Sequence, residues 1–306
     1  MPRVLITQAI DPAAVTLLRD AGVEVEQRQG PAPITRSELL RLVAGCDGLL
    51  PMLTDRIDGL VLDAAPLKVV SNHAVGVDNI DLAAAAERGI VVTNTPGVLT
   101  EATADLTMAL LLATARRIVE ADQFLRAGSY QGWRPTLLRG ADLDGAVLGI
   151  VGMGRIGSAV ARRAEAFRMT IIESSGDRGL PLSELLTRAD FVSLHCPLTA
   201  DTHHLIGEPE LRSMKSSAIL INTARGAVVD EETLAQALAE RWIAAAGLDV
   251  FEHEPAVVPK LLELDNVVLL PHIASATTRC RRRMGELAAG NLVAVLTGRP
   301  APNPVT

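Results

Sequence analysis

Residues 148 to 164 read LGIVGMGRIGSAVARRA, with Gly152, Gly154 and Gly157 in a G-x-G-x-x-G turn between an apolar run and an Ala-rich helical pattern. One glycine would close a plain strand-to-helix turn. Three at this spacing allow, in order, a tight turn, backbone approach to a pyrophosphate, and close packing of helix on strand. The helix N-terminus then faces the phosphates with its unpaired N–H groups. The segment predicts a dinucleotide-binding βαβ unit.

The remaining chain fits that unit. RVLITQ, EVEQRQ, DGLLPM, LKVVSNH and GIVVTNT read as buried strands, separated by the helical segments AAVTLLRDAG, ITRSELLRLVAG and NIDLAAAAERG. A long helical pattern follows from 101 to 128, with Thr100 as its expected N-cap and Gly128 as its stop. A second alternating series then runs AVLGIVG, TIIES, FVSLHC, AILINT, IAAAGLDV and NVVLLP. The expected fold class is α/β, with two doubly wound parallel-sheet domains. A Rossmann dinucleotide-binding domain (99–283) is inserted into a flavodoxin-like substrate domain (1–98 plus 284–306), onto which the last helical pattern must fold back.

Composition removes other classes. Lys and Arg number 29 against 36 Asp and Glu, a net charge of −7, so no broad basic face is available to follow a phosphate backbone and no nucleic-acid partner is expected. The longest apolar run, LTMALLLATA, is about half of what a membrane span needs. Cys46, Cys196 and Cys280 have neither CxxC nor metal-ligand spacing, and the first strand pattern begins at Arg3. A cytoplasmic protein without a leader, a metal or a membrane partner is the expectation.

Three segments at expected strand ends carry candidate chemistry: INTARGAVVDEETL with Arg225, AGLDVFEHEP with Glu254, and LLPHIASAT with His272. Ligands of doubly wound sheets sit beyond the carboxyl ends of strands, so these three can converge although distant in sequence. Singly, Arg225 could be a surface ion-pair partner, Glu254 a solvated loop acid, and His272 a capping or core histidine.

Taken together with the glycine turn, HAVGVDNID (73–81), NTPGVLTEATAD (94–105), NTARG (222–226), GLDVFEHEP (247–255) and PHIASAT (271–277) stand in a distinctive order. Over essentially its full length the chain resembles the D-isomer-specific 2-hydroxyacid dehydrogenases, most of all the glyoxylate/hydroxypyruvate reductase branch that includes 2-ketogluconate reductases. The resemblance implies NAD(P)H-dependent reduction of small 2-keto acids. His272 matches the proton donor, Glu254 the carboxylate that favours its imidazolium, and Arg225 the fork that holds the substrate carboxylate and keto oxygen. The backbone amides of Val75 and Gly76 match the carboxylate-binding turn, for which a plain strand-to-helix turn is the alternative. Cofactor contacts are implied for Gly152, Gly154, Arg155, Ile156, Gly157, Ser174, Ser175, Arg178, Cys196, Pro197, Thr202, Thr223, Ala224, Asp249 and His272; Asp249 could equally cap a turn. Trp133, in GSYQGWRPTLLRGADL, matches a homodimer-interface loop that can reach a partner's substrate site. Ala274 stands where the family usually has glycine, Glu254 disfavours the formate dehydrogenase branch, and no extra regulatory domain is expected after the last helix. A noncatalytic NAD(H)-sensing interaction protein is the reading from another class.

Cofactor choice turns on MTIIESSGDRGLPL (169–182). Glu173 lies 173 − 152 = 21 positions after Gly152, close to the roughly 20 at which an acid grips an NAD ribose. Resemblance shifts that role to Ser175, two residues on and therefore roughly 6 to 7 Å away along a strand. A serine there, with Arg178 close behind, suits a 2′-phosphate; Asp177 opposes it. NADP(H) is expected over NAD(H).

Overall fold

Four largely apolar runs and one polar edge segment form the first parallel sheet: β1 (Arg3–Ile6), β2 (Glu24–Gln27), β3 (Gly48–Leu50), β4 (Val69–Ser71) and β5 (Val91–Thr93), ordered β2-β1-β3-β4-β5, with β2, expected as a buried strand, only partly buried at the edge. The chain leaves and re-enters this sheet through α1 (Pro12–Asp20), α2 (Arg36–Val43), α3 (Gly59–Asp63) and α4 (Leu82–Glu87). Side chains of a strand alternate between faces, and both faces here are covered. Leu5 joins Leu49, Val70 and Val92 in one core, while Val4 and Ile6 join Leu50 and Val69 in the other. Asp11, Thr35, Asp58 and Asp81 accept N–H bonds at the starts of α1 to α4. Each satisfies a helix terminus that the helix itself cannot.

The computed structural model describes residues 1–30, 33–176 and 178–305. It divides into two units, Met1–Leu99 with Ala276–Thr306, and Thr100–Ser275.

The second unit contains α5 (Thr100–Ala115), α6 (Ile118–Arg126), β6 (Val147–Val151), α7 (Arg155–Ala166), β7 (Thr170–Ser175), β8 (Arg178–Gly179), α8 (Leu182–Arg188) and β9 (Phe191–Leu194). It continues through α9 (Glu208–Ser213), β10 (Ile219–Asn222), α10 (Glu231–Ala239), β11 (Ala245–Leu248), α11 (Pro259–Leu262) and β12 (Val267–Leu269). Its sheet runs β12-β11-β10-β9-β6-β7-β8, parallel except for β8. The order reverses between β6 and β9, the switch point at which such sheets bind ligands.

The expected doubly wound α/β architecture is present, with three corrections. The return to the first unit falls at 275/276 rather than at 283/284, because α12 (Thr278–Leu296) is continuous from its Thr277 cap and cannot be divided. Along its length α12 packs on α1: a Cβ on Gly285 would lie 3.1 Å from Ala14 Cβ. Ser71 Oγ donates to Ala288 O at 3.0 Å. The long helix from 101 is two helices, and Thr100 lies inside the first rather than capping it. Ala141 N takes the carbonyl of Ala115 (2.8 Å), which a continuous helix would have used, and Arg117 turns left-handed at φ 52°. Finally, β7 and β8 form an antiparallel hairpin, Ser174 opposite Gly179 and Ser175 opposite Arg178, so the second sheet is not parallel throughout as expected. No helix among the described residues is long and apolar enough to cross a membrane.

Loss of solvation holds two histidines, buried His73 of the first unit and half-buried His195 of the second, at a pKa of about 4, below the ordinary 6.5. Both fold neutral and must take up protons on unfolding. Stability is therefore complete above pH 6.5 and falls as the pH drops toward 4, each histidine costing about 2 kcal/mol at pH 5. His73→Gln should flatten the dependence of Tm on pH between about 7 and 5; an unchanged slope would show that His73 does not fold neutral.

Candidate active site

At the switch point, Gly152 has φ 95°, and a Cβ there would meet Cys196 N at 2.7 Å. A Cβ on Gly157 would lie 2.2 Å from Gly152 O, so that residue lets α7 close on its own turn. By contrast, a Cβ on Gly154 would meet nothing within 4 Å. Gly154 also stands at the N-cap of the 12-residue α7 without a side chain to cap it. The turn thus leaves open backbone before a helix N-terminus, as a pyrophosphate requires.

A cavity of about 410 Å³ opens beside it, lined among others by Gly152, Gly154, Ser174, Ser175, Cys196 and Thr202. Pro197 also lines it. Ser175 Oγ accepts from Met153 N (3.2 Å), tying the end of β7 to the glycine turn. Thr202 Oγ1 donates to Pro197 O (2.6 Å) and accepts from Thr199 N (2.8 Å), closing the loop after β9. Glu173 and Arg178 are not among the lining residues. A Cβ on Gly179 would meet Glu173 O at 2.2 Å and Glu173 Cγ at 2.8 Å, so the hairpin packs over Glu173. Arg178 is exposed on β8, and Asp177 lies outside the described residues. Arg155 is exposed; Ile156 packs against the apolar core rather than lining the cavity.

The acid-base candidates meet at the ends of β10, β11 and β12. His272 Nδ1 and Glu254 Oε2 are 2.8 Å apart. Glu254 Oε1 accepts from Phe251 N at 3.0 Å, which fixes the carboxylate from its other side. Burial opposes the charge on Glu254, but the bond and charge of His272, the Phe251 amide and the Arg225 charge together hold its pKa below the ordinary range. His272 itself has φ 53°, an uncommon backbone for a non-glycine residue. What holds it there is Asp249. This fully buried acid accepts from Ile273 N and Ala274 N, both at 2.8 Å. Burial raises the Asp249 pKa while the two amides lower it, with a net rise. Both carboxylate oxygens of Asp249 are thereby engaged with the segment after His272.

Arg225 follows β10 with extended backbone and is half-buried. Its Nη1 donates to Ala224 O at 2.8 Å. Thr223 turns inward, its hydroxyl 2.9 Å from that of Thr107. Two positioning residues went unnoticed in the sequence. Buried Asn222 donates to Arg225 O (2.9 Å) and accepts from Ala224 N (3.0 Å), shaping the turn that presents Arg225. Glu231, also buried, accepts from Glu252 N (2.6 Å) and Val258 N (2.8 Å), laying out the loop that carries Glu254. An asparagine at a strand end inside NTARG is a readable Asx-turn signal; Glu231, in VVDEETL, looks like an ordinary first-turn acid and gives no signal.

In the first unit, Val75 O accepts from Asn94 Nδ2 and Gly76 O from Asn72 Nδ2, both at 2.7 Å. With the carbonyls so held, the N–H groups of Val75 and Gly76 take no backbone partner among the described residues. Trp133 is 80% exposed.

Comparison with known proteins agrees with this geometry. The family model described as D-isomer specific 2-hydroxyacid dehydrogenase, NAD binding domain, matches residues 108–274. The chain is 50% identical to a glyoxylate reductase of Korarchaeum cryptofilum, covering 99% of this chain and 95% of that one. Among solved structures, the TT0316 protein from Thermus thermophilus superposes with a TM-score of 0.95 at 52% identity, over 99% of this chain and all of that one. An NADPH-dependent glyoxylate/hydroxypyruvate reductase from Sinorhizobium meliloti, in complex with NADP and malonate, gives 0.87 at 36% identity, over 100% and 97% of the two chains.

Proposed function

Because the chain belongs to the D-isomer-specific 2-hydroxyacid dehydrogenases, a family of NAD(P)-dependent oxidoreductases, we propose that it reduces glyoxylate to glycolate and hydroxypyruvate to D-glycerate. The observation that carries this reading is the 2.8 Å pair of His272 Nδ1 and Glu254 Oε2 beside Arg225. A reduced nicotinamide dinucleotide, when bound, supplies the hydride for the keto carbon. The oxygen of that carbonyl must then gain a proton, and His272 donates it from Nε2. Glu254 holds Nδ1 and so fixes the orientation of the ring. Arg225 binds the substrate carboxylate and keto oxygen through its planar fork. The test is oxidation of NADPH followed by its absorbance with a panel of 2-keto acids; no turnover with any member, with either cofactor, would refute the assignment.

Arg225→Ala should lower kcat/KM for glyoxylate on the order of 10²-fold, as expected when a charged hydrogen-bond partner of the reacting group is lost. Cofactor KM should stay close to that of the wild type. An unchanged kcat/KM would remove Arg225 from the substrate.

For the cofactor we infer a preference for NADPH, with Ser174, Ser175 and Arg178 taking the 2′-phosphate. Support comes from the two serines lining the cavity and the absence of Glu173 from it. Arg178→Ala is expected to lower the NADPH-to-NADH ratio of kcat/KM; if the ratio does not change, Arg178 plays no part in the choice.

We also infer a homodimer. Ile118, Leu125, Tyr130 and Trp133 are large apolar residues exposed on α6 and the loop after it, a patch that a second copy would cover. Light scattering should then give twice the 32.4 kDa of one chain.

A further inference from the structure

We propose that His203, His204 and Glu252 bind one first-row divalent transition ion, for which Zn2+ is the probe. Among the described residues this is the only group of three ligating side chains whose donor atoms gather, all within 4.8 Å of one another. His204 Nε2 and Glu252 Oε1 are 2.8 Å apart, and the rings of His203 and His204 stack with centroids 4.0 Å apart at 27°. Two imidazoles and one carboxylate match the ligands that Zn2+, Ni2+ and Cu2+ take at about 2.0 to 2.2 Å, with water completing the shell. Oxygen-loving Mg2+ and Ca2+ are poorly served by two nitrogens. Ion binding would require the exposed His203 ring to turn out of its stack with His204 and the neutral His204 tautomer with hydrogen on Nδ1 to leave Nε2 for the ion.

The backbone beneath the three is already held. His203 N donates to Thr199 O at 3.0 Å, and His204 N to Ala227 O at 2.8 Å. His204 has φ 51°, a left-handed conformation maintained by these anchors. Glu252 N is pinned by the buried Glu231 carboxylate at 2.6 Å. Such fixed ligands lose little freedom on binding an ion. An ion here would join the loop closed by Thr202, which lines the dinucleotide cavity, to the segment that leads to Glu254. It remains distinct from the His272 and Glu254 pair, which shares none of its ligands.

The experiment is Zn2+ titration of the chelator-treated full chain against a chromophoric competitor, with visible absorption of bound Co2+ as a second readout. One ion per chain is expected. His203→Ala and Glu252→Gln should each raise the Kd at least about tenfold, because even the outer partners of a metal site are worth about 10- to 100-fold and these side chains are direct ligands. The doubly substituted chain should lose the Co2+ bands while keeping the wild-type circular dichroism. An ion bound as tightly by the doubly substituted chain as by the wild type, or no ion bound by the wild type, would overturn the proposal.

Discussion

Replacing His272 with Gln is expected to lower kcat for glyoxylate reduction by about 10²- to 10⁴-fold, the usual contribution of a positioned general acid. NADPH affinity should change little. Glutamine keeps much of the size of the ring and can still bond Glu254 Oε2, so the loop from Asp249 to Ala274 stays in register. What it lacks is a proton that can be given up near neutral pH. Glu254→Gln provides the graded control: it leaves the imidazole and a partner for Nδ1 in place but removes the carboxylate charge beside them, so kcat should fall by less. A His272→Gln enzyme within about tenfold of wild type would end the role assigned to this residue.

Gly226→Ala should be the most damaging single-methyl change in the second unit. Its Cβ would lie 1.8 Å from the carbonyl carbon of Phe251, 2.1 Å from its oxygen and 2.2 Å from Glu252 N. These are backbone atoms, without a rotamer that could yield. Overpacking against side chains costs about 1 to 3 kcal/mol; with backbone on the receiving side a loss above about 3 kcal/mol is expected. At about 2 to 4 °C per kcal/mol that lowers Tm by about 6 to 12 °C. Activity should fall with it, because the displaced segment leads into Glu254 and Gly226 directly follows Arg225. Gly154→Ala separates the two effects. Its Cβ meets nothing in the protein, so Tm should stay within about 4 °C while dinucleotide affinity drops. If Gly226→Ala melts like the wild type, the two backbones do not approach this closely.

Much of the site was legible in the sequence because its parts are local. The glycine turn needs only neighbours close in the chain: Gly152 takes a left-handed φ, Gly157 lets the helix close on the turn, and a Cβ on Gly154 would meet nothing within 4 Å. The central strand runs, such as β3, β9 and β10, are apolar and buried because both sheet faces are covered, so they stand out without alternation. Asp249 shows the limit. As an acid at a strand end it was compatible with a cofactor contact or a turn cap, and nothing near it in the chain announces the bonds it takes 24 and 25 residues later, from Ile273 N and Ala274 N. The helix break at Arg117 was hidden for the same reason: the carbonyl of Ala115 is claimed by Ala141, which belongs to a different part of the sequence.

The order of residues was thus enough for the doubly wound α/β class, the dinucleotide turn, the family, and Arg225, Glu254 and His272 as the side chains to watch. Those follow from hydrophobic period, glycine stereochemistry and short motifs, all of which act within one element or one turn. Folding was needed to set where α5 ends, and to put Arg178 on an exposed hairpin while Ser174 and Ser175 line the cavity. It was needed as well to bring His203, His204 and Glu252 together. Each of these depends on which backbone groups and side chains from distant segments compete for the same partner or the same space, and that competition exists only once the sheet has set its strands side by side.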